Sequence, residues 1–293
     1  MNKKHIRNHL KRVIADWIES FGDDPIAKIV SENVLVTGGA LVSLLEGEKP
    51  NDYDVYFKTH DACLAVAHYY AQKWNREHAA EDGVVHVTDE EGRVRAFIQS
   101  SGAVSDDGNL IDDESEPLDM GIAEEESEET DGKKEKYRIR YITSNAISLS
   151  DKIQVVLRFY GSVEEIHKYY DFVHCTCSYD YCKNEVVLPE RALEAIINKE
   201  LYYVGSKYPL CSIIRARKFI NRGWTINAGQ YVKMCLQLNE LDLHDVDVLE
   251  DQLTGVDSGY FQTCIEAIRN EQNGNPDFKP DDTYLFELIN KIF

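Results

Sequence analysis

Asp52 and Asp54 stand at i and i+2 in the apolar run Asp52-Tyr-Asp-Val-Tyr-Phe57, and they are the pair in this sequence best spaced for chemistry. In an extended strand, alternation puts both carboxylates on one face, roughly 7 Å apart, and turns Tyr53, Val55 and Phe57 to the other. Upstream, Asn33-Val-Leu-Val-Thr37 reads as a buried strand broken by Gly38-Gly39, and Ala40-Leu-Val-Ser-Leu-Leu45 continues as helix. Glycine lets backbone come close to a ligand, and a helix that starts there offers free N–H groups to phosphate oxygens. Two carboxylates beside such a cradle suit Mg2+, which takes one or two carboxylates with substrate phosphates and waters. Two ions together serve an in-line displacement. The chemistry implied is attack of a hydroxyl on the α-phosphate of a nucleoside triphosphate, with loss of pyrophosphate. The plain alternative is a surface strand with solvated aspartates after an ordinary glycine turn.

Other elements must position these residues. Apolar residues recur at helical spacing over 4–21, and a short helix is expected at 25–31. A long helix follows the aspartate strand at about 61–78. Residues 84–87 and 93–99 predict a hairpin around Glu91-Gly92. Strands are expected at 137–142, 152–159 and 171–177, with a short helix capped by Ser162 and Glu165 from 162 to 169. From Pro189 the pattern is helical: 189–201, 210–222, 228–238, 258–270 and 282–292.

The chain has 293 residues, is 43% hydrophobic and carries a net charge of −20. It can bury a sizeable core. Between Asp106 and Asp131 there are 13 acidic residues and no Lys or Arg; removing them from −20 leaves −7 for the rest. The stretch 100–136 reads as a solvated surface insertion. Seven cysteines, an odd number, do not suggest a disulfide framework. No membrane span or secretory leader is expected, which places the chain in the cytoplasm. His174, Cys175, Cys177 and Cys182 lie close in sequence, and packed thiols explain them better than zinc does.

The arrangement Gly38-Gly39, twelve residues, then Asp52-x-Asp54 between apolar residues resembles the signature of the DNA polymerase β-type nucleotidyltransferases. The segment Glu165-Ile-His-Lys-Tyr-Tyr-Asp-Phe-Val-His-Cys-Thr-Cys177 is similar to a conserved segment of bacterial poly(A) polymerases and CCA-adding enzymes. Pro209-Leu-Cys-Ser-Ile-Ile-Arg-Ala-Arg217, with Gly223 and Ile226 beyond it, resembles a helix of the same enzymes. The resemblance covers roughly 33–226. It implies an α+β fold: a mixed-sheet, polymerase β-like palm domain over 1–185 and an all-helical domain over 186–293. It implies a two-ion Mg2+ site on Asp52 and Asp54, a nucleoside triphosphate substrate and an RNA or tRNA 3′ end as acceptor.

On the same resemblance Asp171 is a candidate third carboxylate, a ribose contact or a structural cap. The other place for a third carboxylate, on the strand at 152–159, is filled by Gln154. The arginine expected soon after the glycines is absent; Ala40 to Ser43 stand there, and Ser43 is the polar candidate. Positive groups for the triphosphate are Lys152, Arg158, Arg215, Arg217 and Lys218, with Arg217 favoured. Lys207-Tyr208 replaces the base-reading set. Transfer to a protein or small molecule, or an inactive fold kept for binding, are the competing readings.

Overall fold

The computed structural model describes residues 2–78, 83–99, 136–253 and 258–292. All of the expected acidic insertion except Lys136 lies outside the described residues. The chain divides into two compact units. The first takes in the described residues up to Lys168 together with His174–Ile197, and the second takes in Tyr169–Val173 and the chain from Asn198 onward.

The first unit is a mixed sheet with helices. Helix α1 (Lys3–Glu19) is capped by Asn2, whose side chain accepts from the His5 N–H. Its stripe Ile6, Leu10, Ile14 and Trp17 is fully buried, as an apolar face at helical spacing requires. Helix α2 (Ile26–Asn33) leads into β1 (Val34–Thr37), then α3 (Gly39–Glu46), β2 (Tyr53–Phe57) and α4 (His60–Glu77). A hairpin of β3 (Val84–Glu90) and β4 (Arg93–Gln99) forms its own two-stranded sheet. Glu91 and Gly92 both have positive φ, 52° and 76°, as a tight hairpin turn needs.

The remaining strands are β5 (Ile139–Ile142), β6 (Ala146–Leu149), β7 (Ile153–Tyr160), β8 (Ser178–Asp180) and β9 (Glu185–Val187), with α5 (Val163–His167) after β7 and α6 (Glu190–Asn198) at the end. The order of the seven-stranded sheet is β5-β6-β7-β2-β1-β8-β9. Only the central pair β2 and β7 is parallel; the other neighbours are antiparallel. Tyr53, between the two aspartates, is buried, and its hydroxyl lies 2.7 Å from His9 Nε2 on α1. That contact fixes the start of β2 against the first helix.

The second unit is helical: α7 (Pro209–Asn221), α8 (Ala228–Leu238), α9 (Val246–Leu253), α10 (Ser258–Gly274) and α11 (Asp282–Ile292). Pro209 occupies the first turn of α7 and Gly223, with φ 82°, follows its end, the usual places for these residues. Phe172, Tyr203, Phe219 and Trp224 stack edge to face or tilted at centroid distances of 5.7–6.0 Å.

Two sequence expectations change, and four short elements escape the sequence. The segment 171–177 is not a strand: Val173–Thr176 is a turn of 3-10 helix. Its curved backbone turns the Cys175 carbonyl to the Gly38 N–H (3.2 Å) and the Cys177 carbonyl to the Thr37 hydroxyl (2.8 Å). Asp52 stands just before β2, and only Asp54 lies within it. The short elements β6, β8, β9 and α9 have too few residues for their periodicity to be read from sequence. No described helix is long and apolar enough to cross a membrane.

Candidate active site

The first-unit candidates gather where β1, β2 and β7 meet. Gly38 has φ 89° and ψ −145°, a region essentially reserved for glycine. It releases β1 directly into α3. Gly39 has no such constraint, and a Cβ added there would meet nothing within 4 Å. The glycine pair is therefore unequal: Gly38 makes the turn, and Gly39 leaves space in front of the helix N-terminus. Ser43 is half-buried on α3, one turn into the helix.

Asp52 is exposed and Asp54 is half-exposed, while Tyr53, Val55, Tyr56 and Phe57 are buried. Across the parallel pairing, Asp54 is in register with Gln154. Cross-strand partners share a face of the sheet, and Gln154 is half-exposed near the start of β7, whose other residues before Tyr160 are buried. The cross-strand neighbour of Asp54 is thus a neutral amide. On the other side, the antiparallel register of β1 with β2 ends at Val36 opposite Val55, one residue short of Thr37 on β1 and of Asp54 on β2.

Asp151 and Lys152 both adopt positive φ, 61° and 68°, a backbone costly for residues with a Cβ. The kink turns Lys152 toward the loop before Asp52, where its ammonium donates to the Pro50 carbonyl at 3.0 Å. A cation is thereby held beside the aspartates. Arg158 is used differently. It is 9% exposed, donates to Asn145 Oδ1 at 3.3 Å, lies over the Phe159 ring and sits four residues beyond Gln154, roughly 13 Å along the strand.

Asp171 belongs to the second unit. It is 4% exposed, and Arg215 lies 3.4 Å from its carboxylate, so its charge is balanced within that unit. Arg217, one residue off that face of α7, is exposed. The cysteines at 175 and 177 are buried and reduced, and Cys182 is exposed.

Sequence reading missed His167. Its Nε2 lies 2.7 Å from Thr37 Oγ1, which itself donates to the Cys177 carbonyl. The hydroxyl has a single proton, so the imidazole must supply the proton of the shared bond. Burial pushes the His167 pKa down to about 4 from the ordinary 6.5. The ring is therefore neutral at pH 7, and it braces the end of β1 next to Gly38. No local signal marked it, because its partner is 130 residues away in sequence.

A depressed histidine pKa contributes stability that is fully present above 6.5 and lost as pH falls toward 4. The stability gap between wild type and His167→Gln should be widest above pH 6.5 and narrow on acidification to pH 4, read by urea unfolding. A gap independent of pH would refute a half-buried, neutral imidazole.

A resident Mg2+ can be tested against this donor set. Among the described residues no group of three or more His, Cys, Asp or Glu converges. Two carboxylates are present, at the exposed start of one strand. Mg2+ completes its octahedron with phosphate and water oxygens rather than an all-protein cage, so the residues fit the ion when it arrives with a triphosphate.

The family described as "Gabija anti-defense 2 family protein" matches residues 8–199, from α1 to the end of α6. A protein of Bacillus phage SPbetaL7 described as "Gabija anti-defense 2" is 19% identical over 273 residues, 92% of this chain and 51% of that protein. The chain thus spans about half the length of the curated relative it matches. Among solved structures, the Bacillus stearothermophilus CCA-adding enzyme in complex with CTP aligns with 78% of this chain and 47% of its own, at 13% identity and a TM-score of 0.37. The Thermotoga maritima CCA-adding enzyme complexed with tRNA aligns with 90% of this chain and 60% of its own, at 11% identity and a TM-score of 0.40. Scores this low carry no argument about activity.

Proposed function

We propose, from the premise that the chain belongs to the Gabija anti-defense 2 family, that it is a magnesium-dependent nucleotidyltransferase. It moves a nucleoside monophosphate from a nucleoside triphosphate to an acceptor hydroxyl. The observation that carries this reading is the placement of Asp52 and Asp54 at the start of β2, between the Gly38 turn on one side and Gln154 on the other.

Bound Mg2+ would lower the pKa of the acceptor hydroxyl and stabilise the pyrophosphate leaving group. The chain does the rest. Asp52 and Asp54 would hold the ions, and the N–H groups at the start of α3, opened by Gly38 and Gly39, would receive phosphate oxygens. Lys152 offsets triphosphate charge, with Ser43 within reach of the same turn of α3. His167 and Thr37 hold the turn in place. Gln154 leaves the site two carboxylates rather than three, a set that would hold Mg2+ together with substrate phosphates. Asp171, matched to Arg215 in the second unit, is assigned to that ion pair, and Arg217 is a surface contact for substrate.

An RNA 3′ end is the favoured acceptor. Transfer to a protein is the second reading. It is favoured by the net charge of −20, since nucleic-acid binding usually needs basic surface, and by a family name that points to a defence system as the target. The test is transfer from each of the four α-labelled nucleoside triphosphates, with Mg2+, to total tRNA, to generic RNA and to protein. Label on RNA supports the favoured acceptor and label on protein only supports the second reading. No transfer to any acceptor, with no triphosphate bound, would leave a nucleotidyltransferase-like fold kept for binding.

A further inference from the structure

The sheet offers more than the carboxylates. Asp54 is in register with Gln154, Gln154 with Ser148 on β6, and Ser148 with Tyr141 on β5. These four residues form one row across four strands on one face. Asp54, Gln154 and Ser148 are half-exposed and Tyr141 is 45% exposed, while Val55, Val155, Ile147 and Leu149 beside them are buried. Three inter-strand steps span about 14 Å.

The row ends at an irregularity. The pairing steps from Ile139↔Leu149 to Tyr141↔Ser148, so β5 uses two residues, Arg140 and Tyr141, where β6 uses one. Such a bulge re-aims side chains at the edge of a sheet and is common beside active sites. Arg140 is exposed, and among the described residues no acidic side chain forms an ion pair with it. In a chain with a net charge of −20, an aromatic ring and a guanidinium side by side at the end of a polar row form a local exception.

In-line displacement fixes what this row is for. The acceptor hydroxyl must approach opposite the departing pyrophosphate. On the catalytic reading above, the pyrophosphate leaves toward the Gly38 turn, on the β1 flank of Asp54. The acceptor therefore enters from the other flank, over β7, β6 and β5. We propose that the row from Gln154 to Tyr141 is the acceptor track and that it takes the end of a single-stranded nucleic acid. A base stacks on Tyr141, Arg140 meets a backbone phosphate, and Ser148 and Gln154 hydrogen-bond sugar and base edges, the combination that single-strand binding uses. This assignment rests on the catalytic reading of Asp52 and Asp54.

The test is fluorescence anisotropy with a 5′-labelled single-stranded RNA of mixed sequence, run without triphosphate over a range of salt. Tyr141→Ala should weaken binding about tenfold, and Tyr141→Phe should retain it. Arg140→Gln should lower the slope of log affinity against log salt by about 0.7, the value for one single-strand phosphate. Triphosphate binding with Mn2+, followed by Mn2+ electron paramagnetic resonance, should be unchanged in all three variants and lost in Asp54→Asn. Wild-type RNA affinity matched by Tyr141→Ala and Arg140→Gln would overturn the track while leaving the catalytic reading intact. RNA binding absent from wild type, with label appearing on protein, would overturn it in favour of a protein acceptor. Triphosphate binding that survives Asp54→Asn would overturn the catalytic reading itself.

Discussion

Asp54→Asn should lower nucleotidyl transfer by at least about a thousandfold while the thermal midpoint stays level or rises. The size of the loss follows from the role. A carboxylate that holds the ions through the transition state contributes several kcal/mol there, and each 1.36 kcal/mol is about a factor of ten in rate. Stability should not fall with it, because two like-charged carboxylates two residues apart in the chain repel each other. Neither is buried: Asp52 is exposed and Asp54 half-exposed. Asparagine keeps the volume and the strand geometry and removes only the charge. Activity within tenfold of wild type, measured as pyrophosphate release with a saturating acceptor, would remove Asp54 from the metal site. Asp52→Asn should behave the same way, although Asp52 precedes the strand and is held by loop rather than ladder.

The second large effect separates two adjacent glycines. Gly38→Ala should destabilise the first unit by about 1–3 kcal/mol, since φ 89° and ψ −145° exclude a Cβ. It should also abolish transfer, because the only relief is to move the start of α3 or to break the Gly38 N–H bond to the Cys175 carbonyl. Gly39→Ala should leave the denaturant midpoint nearly unchanged: its Cβ meets nothing within 4 Å. Its effect should appear instead as a higher KM for the triphosphate, because the methyl fills the space in front of the helix. Equal stability losses for the two substitutions would contradict the backbone described here.

Much of this was legible in the sequence. The unit β1–Gly38–α3–β2 was readable because each transition has its own local cause: a β-branched run, a residue free to take positive φ, a helical apolar pattern and an alternating strand. The capping box at Ser162 and Glu165 was equally local, and both of its hydrogen bonds form. The stretch 171–177 was misread because Phe172 and Val173 favour strands, whereas the carbonyls of Cys175 and Cys177 answer to Thr37 and Gly38, far upstream. His167 was illegible for the same reason. Gln154 could be suspected from sequence, but only the register of β7 on β2 puts it beside Asp54. Arg158 looked like a free cation because nothing local announces Asn145 as its partner.

The parallel pairing of β2 with β7 also governs when the site can exist. Asp54 and Gln154 are neighbours in space but 100 residues apart in the chain, so their contact closes one of the longest loops in the first unit. Contacts of that separation form slowly, because loop entropy is lost before any pairing rewards it. During synthesis the carboxylates emerge well before β7, and β8, which flanks β1, follows later still. A nascent chain that ends before Gln154 carries both aspartates and their antiparallel neighbour β1, but lacks the parallel strand that completes the other flank of β2. The pairing that sets Gln154 beside Asp54 is therefore a late event in the folding of this unit.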